Sequence, residues 1–148
     1  MASRDTTHTV AETTSSRRHA VIREHMASEN ERRFDDTIAT FAHPRYELVG
    51  TGQVYDGEEQ VRAYYAQSRT VFPDQRNEIR AIHDAGDSFI VEFILRGTHL
   101  GSLADEKPSG RCFTCPMVAI FEFEGNGIVC ERVYFDSETI YGQLRGDT

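Results

Sequence analysis

No apolar run in the 148-residue chain approaches the ~20 residues that a membrane-spanning helix requires. Basic residues are in short supply, with 16 Lys and Arg against 24 Asp and Glu and a formal charge of −8. That balance repels phosphate backbones and anionic lipid, which argues against nucleic-acid and membrane partners. Met1 to Ser16 hold no apolar stretch and no small-residue cleavage site, so no secretory leader is expected there. The three cysteines, Cys112, Cys115 and Cys130, are odd in number and are expected as reduced thiols in a cytoplasmic protein. There is no Gly-rich phosphate loop, no G-x-S-x-G elbow and no H-E-x-x-H. Cys112-Phe113-Thr114-Cys115 is the one metal-like motif, and strand alternation would point its thiols to opposite faces. No metal is expected.

What is present reads as a disordered tail over 1–16 and one domain over 17–148, long enough to bury a core without staples. Ser16 can cap a helix to about Ser28, with Val21, Ile22, His25 and Met26 as its apolar stripe. A second helical stretch from Glu29 to Phe41 stops at His43-Pro44. Its charges, Glu29, Glu31, Arg32, Arg33, Asp35 and Asp36, read as a solvated face. Arg45 to Gly50 is strand-like, and Asp56-Gly57-Glu58-Glu59 opens a third helix as a capping box. The period then becomes extended. Asn77–His83 and Ser88–Thr98 flank one hairpin turn, Arg111–Glu124 and Ile128–Asp136 another, and Ser137–Leu144 is a closing helix. Helices first and antiparallel strands after them make an α+β fold. The expected form is a cone of about three N-terminal helices on a curved, mainly antiparallel sheet of four to six strands, around one apolar cavity.

Candidate chemistry lies at the strand ends. His99 shares a strand face with Phe89, Val91, Phe93 and Leu95; it reads either as a neutral cavity imidazole or as a histidine bonded to its own loop. Asp136 shares a face with Tyr134, Arg132 and Cys130, whereas Val129, Val133 and Phe135 make the opposite face apolar except for Glu131. A carboxylate at the mouth of an apolar cavity is tuned as a general acid or base. The plainer alternative makes Asp136 the N-cap of the closing helix. Tyr65, Tyr64, Tyr46 and His43 are further candidates to contact a substrate, against a core reading for a tyrosine on an apolar helical stripe.

Gly97-Thr98-His99-Leu100-Gly101, Pro108-Ser109-Gly110-Arg111, Glu131 to Asp136 and Gln143-Leu144 follow one another in an order that resembles the SnoaL-like polyketide cyclases of the nuclear transport factor 2-like superfamily. The resemblance spans about Val21 to Leu144. Ser109 stands where that pattern has Thr, and Arg145 intervenes before Gly146. It implies the cone-shaped α+β barrel and a homodimer. It also implies an acid/base enzyme without cofactor that closes a ring in a hydrophobic, polyketide-like small molecule. The same superfamily holds dehydratases, isomerases, epoxide hydrolases and noncatalytic binding proteins. Carried onto this chain, the resemblance makes Asp136 the acid/base and His99 its assistant. Tyr134, Arg132, Tyr65 and His43 are expected as the substrate contacts from the residue reading above.

Overall fold

The computed structural model describes residues 13–147. The expectation of a disordered tail falls mostly on residues 1–12, outside this range, while its last residues belong to the first helix. α1 spans Thr14–Asn30, capped by Thr13, whose hydroxyl accepts from the Ser16 amide at 3.0 Å, so the cap lies three residues before Ser16. Its inward stripe, Arg18, Ile22, His25 and Met26, recurs at helical spacing but is half polar. Arg32 ends it in the left-handed region (φ 57°), and the Arg33 amide returns to Ser28 O at 2.8 Å. The second helix is therefore short: α2 spans Phe34–Ala39 rather than 29–41.

Two short strands follow, β1 (Arg45–Leu48) and β2 (Gln53–Asp56). β2 lacks apolar alternation, lies at the sheet edge and exposes Val54, which is why no pattern announces it. α3 spans Glu58–Val71 with Gly57 at the N-cap position. The capping box is half formed. Gln60 reaches back to the Asp56 amide at 2.9 Å, but the Asp56 carboxylate pairs with His43 and Arg45 instead of the helix.

β3 (Arg76–Asp84), β4 (Ser88–Thr98), β5 (Cys112–Glu124) and β6 (Gly127–Tyr134) form an antiparallel run, and α4 (Ser137–Arg145) closes the chain. The six strands order as β2-β1-β6-β5-β4-β3, antiparallel except for the β1–β6 pair. That parallel register sets Tyr46 opposite Glu131, which brings both side chains to the inner face. The main core packs α1 and α4 against the inner faces of β4, β5 and β6. A second cluster of Tyr46, Val61 and Tyr65 gathers α3 and β1, and Phe41 packs against both. No helix of the described residues is long and apolar enough to cross a membrane.

The glycines of Gly97-Thr98-His99-Leu100-Gly101 allow close approach. A Cβ on Gly101 would lie 2.2 Å from Thr70 O, and one on Gly97 2.9 Å from the Phe113 ring. The amides of Leu100 and Gly101 both donate to Val71 O, binding the end of β4 to the end of α3. Cys112 is exposed, Cys115 and Cys130 are buried, and all three are free thiols. Burial pushes both buried thiols up to about 11.

Candidate active site

A cavity of about 370 Å³ lies between α1, α3, α4 and the inner sheet face. Most of its wall is apolar, with Met26, Val71, Phe93, Leu95, Phe113 and Val133 prominent. Three ionisable groups on that wall sit together: Glu29 from α1, Tyr46 from β1 and Glu131 from β6. Behind them His25 is wholly buried, its ring edge-to-face with Phe41 and Phe121 at 5.2 and 5.3 Å.

His25 organises the group. Its Nδ1 donates to Thr40 Oγ1 at 2.9 Å, because the Thr40 hydroxyl itself donates to Thr37 O. Its Nε2 lies 2.8 Å from Glu29 Oε1 and 3.1 Å from Glu131 Oε2. Both ring nitrogens therefore act as donors, which is the hydrogen-bonding pattern of an imidazolium. Burial alone would lower its pKa, but the charges and hydrogen bonds of Glu131 and Glu29 outweigh burial and raise it to about 10. The Tyr46 hydroxyl donates to Glu29 Oε1 at 2.8 Å and accepts from Tyr65 at 2.6 Å.

The two carboxyls are driven apart. Burial works to raise Glu29, but the His25 hydrogen bond and charge overcome it and hold Glu29 below the usual carboxylate range. For Glu131 burial prevails over His25 and, with the Glu29 charge, raises it. Divergent environments of this kind separate a permanently charged carboxylate from one that takes up and releases a proton. The atoms of His25, Glu29 and Glu131 are close enough to share a cation, but the His25–carboxylate hydrogen bonds already occupy them.

Of the residues singled out from sequence, Tyr46 and Tyr64 line the cavity, whereas the six expected as the acid/base pair and the main substrate contacts do not. Strand parity on β6 turns Glu131, Val133 and Phe135 to the cavity, so Arg132 and Tyr134 lie on the outer face of the sheet. Arg132 pairs there with Glu47 at 2.8 Å and Glu122 at 2.9 Å, and Tyr134 is exposed. Asp136 is exposed between two lining residues, Phe135 and Ser137. Its carboxylate accepts from the Glu138 amide at 3.1 Å and the Thr139 hydroxyl at 3.0 Å, so it caps α4.

His99 is wholly buried on the face expected for it but is not part of the cavity wall. Its Nδ1 accepts the Ser109 amide at 3.1 Å, tying the loop over 101–110 to the strand. Its Nε2 has no partner among the described residues. His43 is exposed and bonded to Asp56 at 2.8 Å. Tyr65 stands behind the wall, stacked on Phe34 and bonded to Tyr46. Of the six, it alone reaches the polar group.

Glu131 carried a signal in the sequence, as the one acid on an otherwise apolar strand face. His25 did too, as the ionisable member of an apolar stripe. Glu29 did not, because it opens a run of charges that otherwise faces solvent.

The model of the SnoaL-like polyketide cyclase family matches residues 18–144. The chain belongs to this family. AcmA, the aklanonic acid methyl ester cyclase of Streptomyces galilaeus, is similar at 27% identity over 128 residues, 84% of this chain and 88% of that protein. Among solved structures, a protein of Jannaschia sp. CCS1 described as a SnoaL-like polyketide cyclase superposes with a TM-score of 0.79 at 19% identity, covering 87% of this chain and 92% of that one. IdmH of Streptomyces antibioticus, described as a polyketide cyclase, gives 0.75 at 22% identity, covering 86% and 98%. These likenesses show the nuclear transport factor 2-like fold.

Proposed function

We propose that the protein is an acid/base enzyme that closes a ring in a hydrophobic, polyketide-like small molecule, with Glu131 as the group that exchanges the proton. The observation that carries this reading is the pair of carboxyls on one cavity wall, Glu29 and Glu131, bridged by the buried His25 yet driven to opposite proton affinities.

A carbon flanked by two carbonyls is already acidic, so one well-placed carboxylate suffices to take its proton. Burial makes the Glu131 carboxylate a stronger base than an exposed one, and His25 steadies it while it is charged. The carbanion formed attacks a carbonyl carbon of the same molecule, and the proton held by Glu131 passes to the oxygen that gains charge. Tyr64 lines the cavity and its hydroxyl has no partner among the described residues, so it is free to donate to that oxygen. The apolar wall folds the flexible chain of the substrate and keeps the reacting carbons together. This reading moves the acid/base role from Asp136, the α4 cap, to Glu131, and the donor role from His99 to Tyr64. It requires no cofactor.

The outer sheet face, where Ile90, Ile94, Val118 and Ile120 stand outside the core beside Tyr134, is the proposed homodimer interface of a cytoplasmic protein. Sedimentation giving only monomer at micromolar concentration would remove the dimer and leave the enzyme reading intact.

The experiment that tests the enzyme reading is ring closure of aromatic polyketide methyl esters, aklanonic acid methyl ester first, followed by chromatography. Turnover by the parent protein that falls about 10²-fold or more in Glu131→Gln supports it. Tight binding without turnover by the parent identifies a carrier instead.

A further inference from the structure

Arg69 on α3 is a charged, largely buried group that forms no part of the cavity wall. Its Nη2 lies 3.6 Å from Glu29 Oε2, and its Nη1 donates to Ser68 Oγ at 2.8 Å. Its guanidinium carbon sits 5.3 Å from the centre of the Phe34 ring, and its Nε has no partner among the described residues. Burying a guanidinium is costly unless a carboxylate answers it, and Glu29 is the carboxylate within ion-pair reach.

Around Glu29 the arrangement is one-sided. Oε1 faces His25 from its own helix and Tyr46 from β1, while Oε2 faces Arg69 from α3. Tyr64 and Tyr65 approach from α3, and Glu131 is the acid across the site on β6. Glu131 pairs with His25 but with no arginine among the described residues. One carboxylate is thus held between two cations and its twin beside one.

We infer that Arg69 is a positioning residue: from behind the cavity wall it fixes Glu29 as the permanently charged member of the pair, which leaves Glu131 as the carboxyl that exchanges a proton with a ligand. The identity of the exchanging group rests on the acid/base reading above; the clamp on Glu29 does not. Glu29's charge in turn disfavours a second negative charge at Glu131, so Arg69 acts on the proton at Glu131 through Glu29.

The test is a carbon NMR titration of the glutamate carboxyls in the full chain without ligand, with Glu29 and Glu131 assigned by Glu29→Gln and Glu131→Gln. In the parent protein Glu29 titrates below Glu131. Arg69→Met raises the proton affinity of Glu29 about tenfold or more, the usual effect of removing an adjacent charge. Arg69→Lys, which keeps the charge, holds it near the parent value, a rescue that a purely structural role for the side chain would not give. Should Arg69→Met not fold, Arg69→Gln is read in the same way. Glu29 titrating above Glu131 in the parent, or not moving in a folded Met or Gln variant, overturns the inference. Because no turnover is involved, an inactive protein with the expected midpoints refutes only the enzyme reading. An active protein with reversed midpoints refutes the role of Arg69 and the assignment of the exchanging proton to Glu131, and leaves the ring-closing activity standing.

Discussion

His25 and Glu131, 106 positions apart in the chain, meet at 3.1 Å with neither side chain open to solvent. Two regularities produce the contact. Helical spacing puts His25 and Glu29 on one face of α1, and the parallel β1–β6 register puts Tyr46 beside Glu131 on the inner face of the sheet. The resulting polar group is embedded in aromatic rings, where charge interactions are stronger than in water. Its balance of charges therefore matters to stability as well as to chemistry.

Stability should fall on the alkaline side. Folding raises the His25 pKa from 6.5 to about 10, so in between the folded chain holds a proton that the unfolded chain releases. The stabilisation is complete below pH 6.5 and is lost as pH rises through about 10. Above pH 9 the buried thiols of Cys115 and Cys130, raised to about 11, add to the loss. Urea midpoints measured from pH 6 to pH 9 should decline steadily in the parent protein and less steeply in Glu131→Gln. A flat profile would show that His25 is not charged in the folded state.

Arg18 should be worth about 3 kcal/mol to the fold, the scale of charge-assisted bonds to two carbonyls. From α1 its Nε donates to Gly125 O at 2.8 Å and its Nη1 to Gly86 O at 3.1 Å, so one side chain binds the turns of both hairpins. It also lies over Phe123, 5.3 Å from the ring centre. Arg18→Met keeps the stem and removes the bonds. Equilibrium unfolding of this variant should show most of the loss; an unchanged midpoint would mean that the turns are held without it.

Gly101→Ala should destabilise by about 1–3 kcal/mol, since the new methyl would overlap the backbone of Thr70. The strain falls on the junction of β4 with α3, the helix that carries Tyr64. Thermal unfolding checks this directly, and a parent-like melting temperature would show that the junction yields.

Much of the fold was legible because its long elements obey simple periods. β4, β5 and α4 lie within a residue or so of their expected spans. β2 escaped because a short exposed edge strand needs no apolar alternation, and α2 shrank because Arg32 adopts a left-handed turn that no glycine marks. The site was less legible. Asp136 and Glu131 are five apart on one strand and its end, and odd spacing sends them to opposite faces. Which face meets the cavity is decided by α1 and α3 packing from one side, and that packing is a tertiary fact. Glu29 looked like one more surface charge because, besides His25 on its own helix, its partners Tyr46 and Arg69 come from other elements.

The most direct measurement is turnover and melting temperature for Glu131→Gln and Asp136→Asn side by side, in whichever ring-closure assay the parent protein supports. Gln keeps the size of Glu131 and removes its exchangeable proton, and Asn caps a helix about as well as Asp. The account predicts that Glu131→Gln loses about 10²-fold or more in turnover while remaining folded, and that Asp136→Asn keeps turnover within a few-fold of the parent. Full activity in Glu131→Gln, or a hundredfold loss in a folded Asp136→Asn, would contradict it.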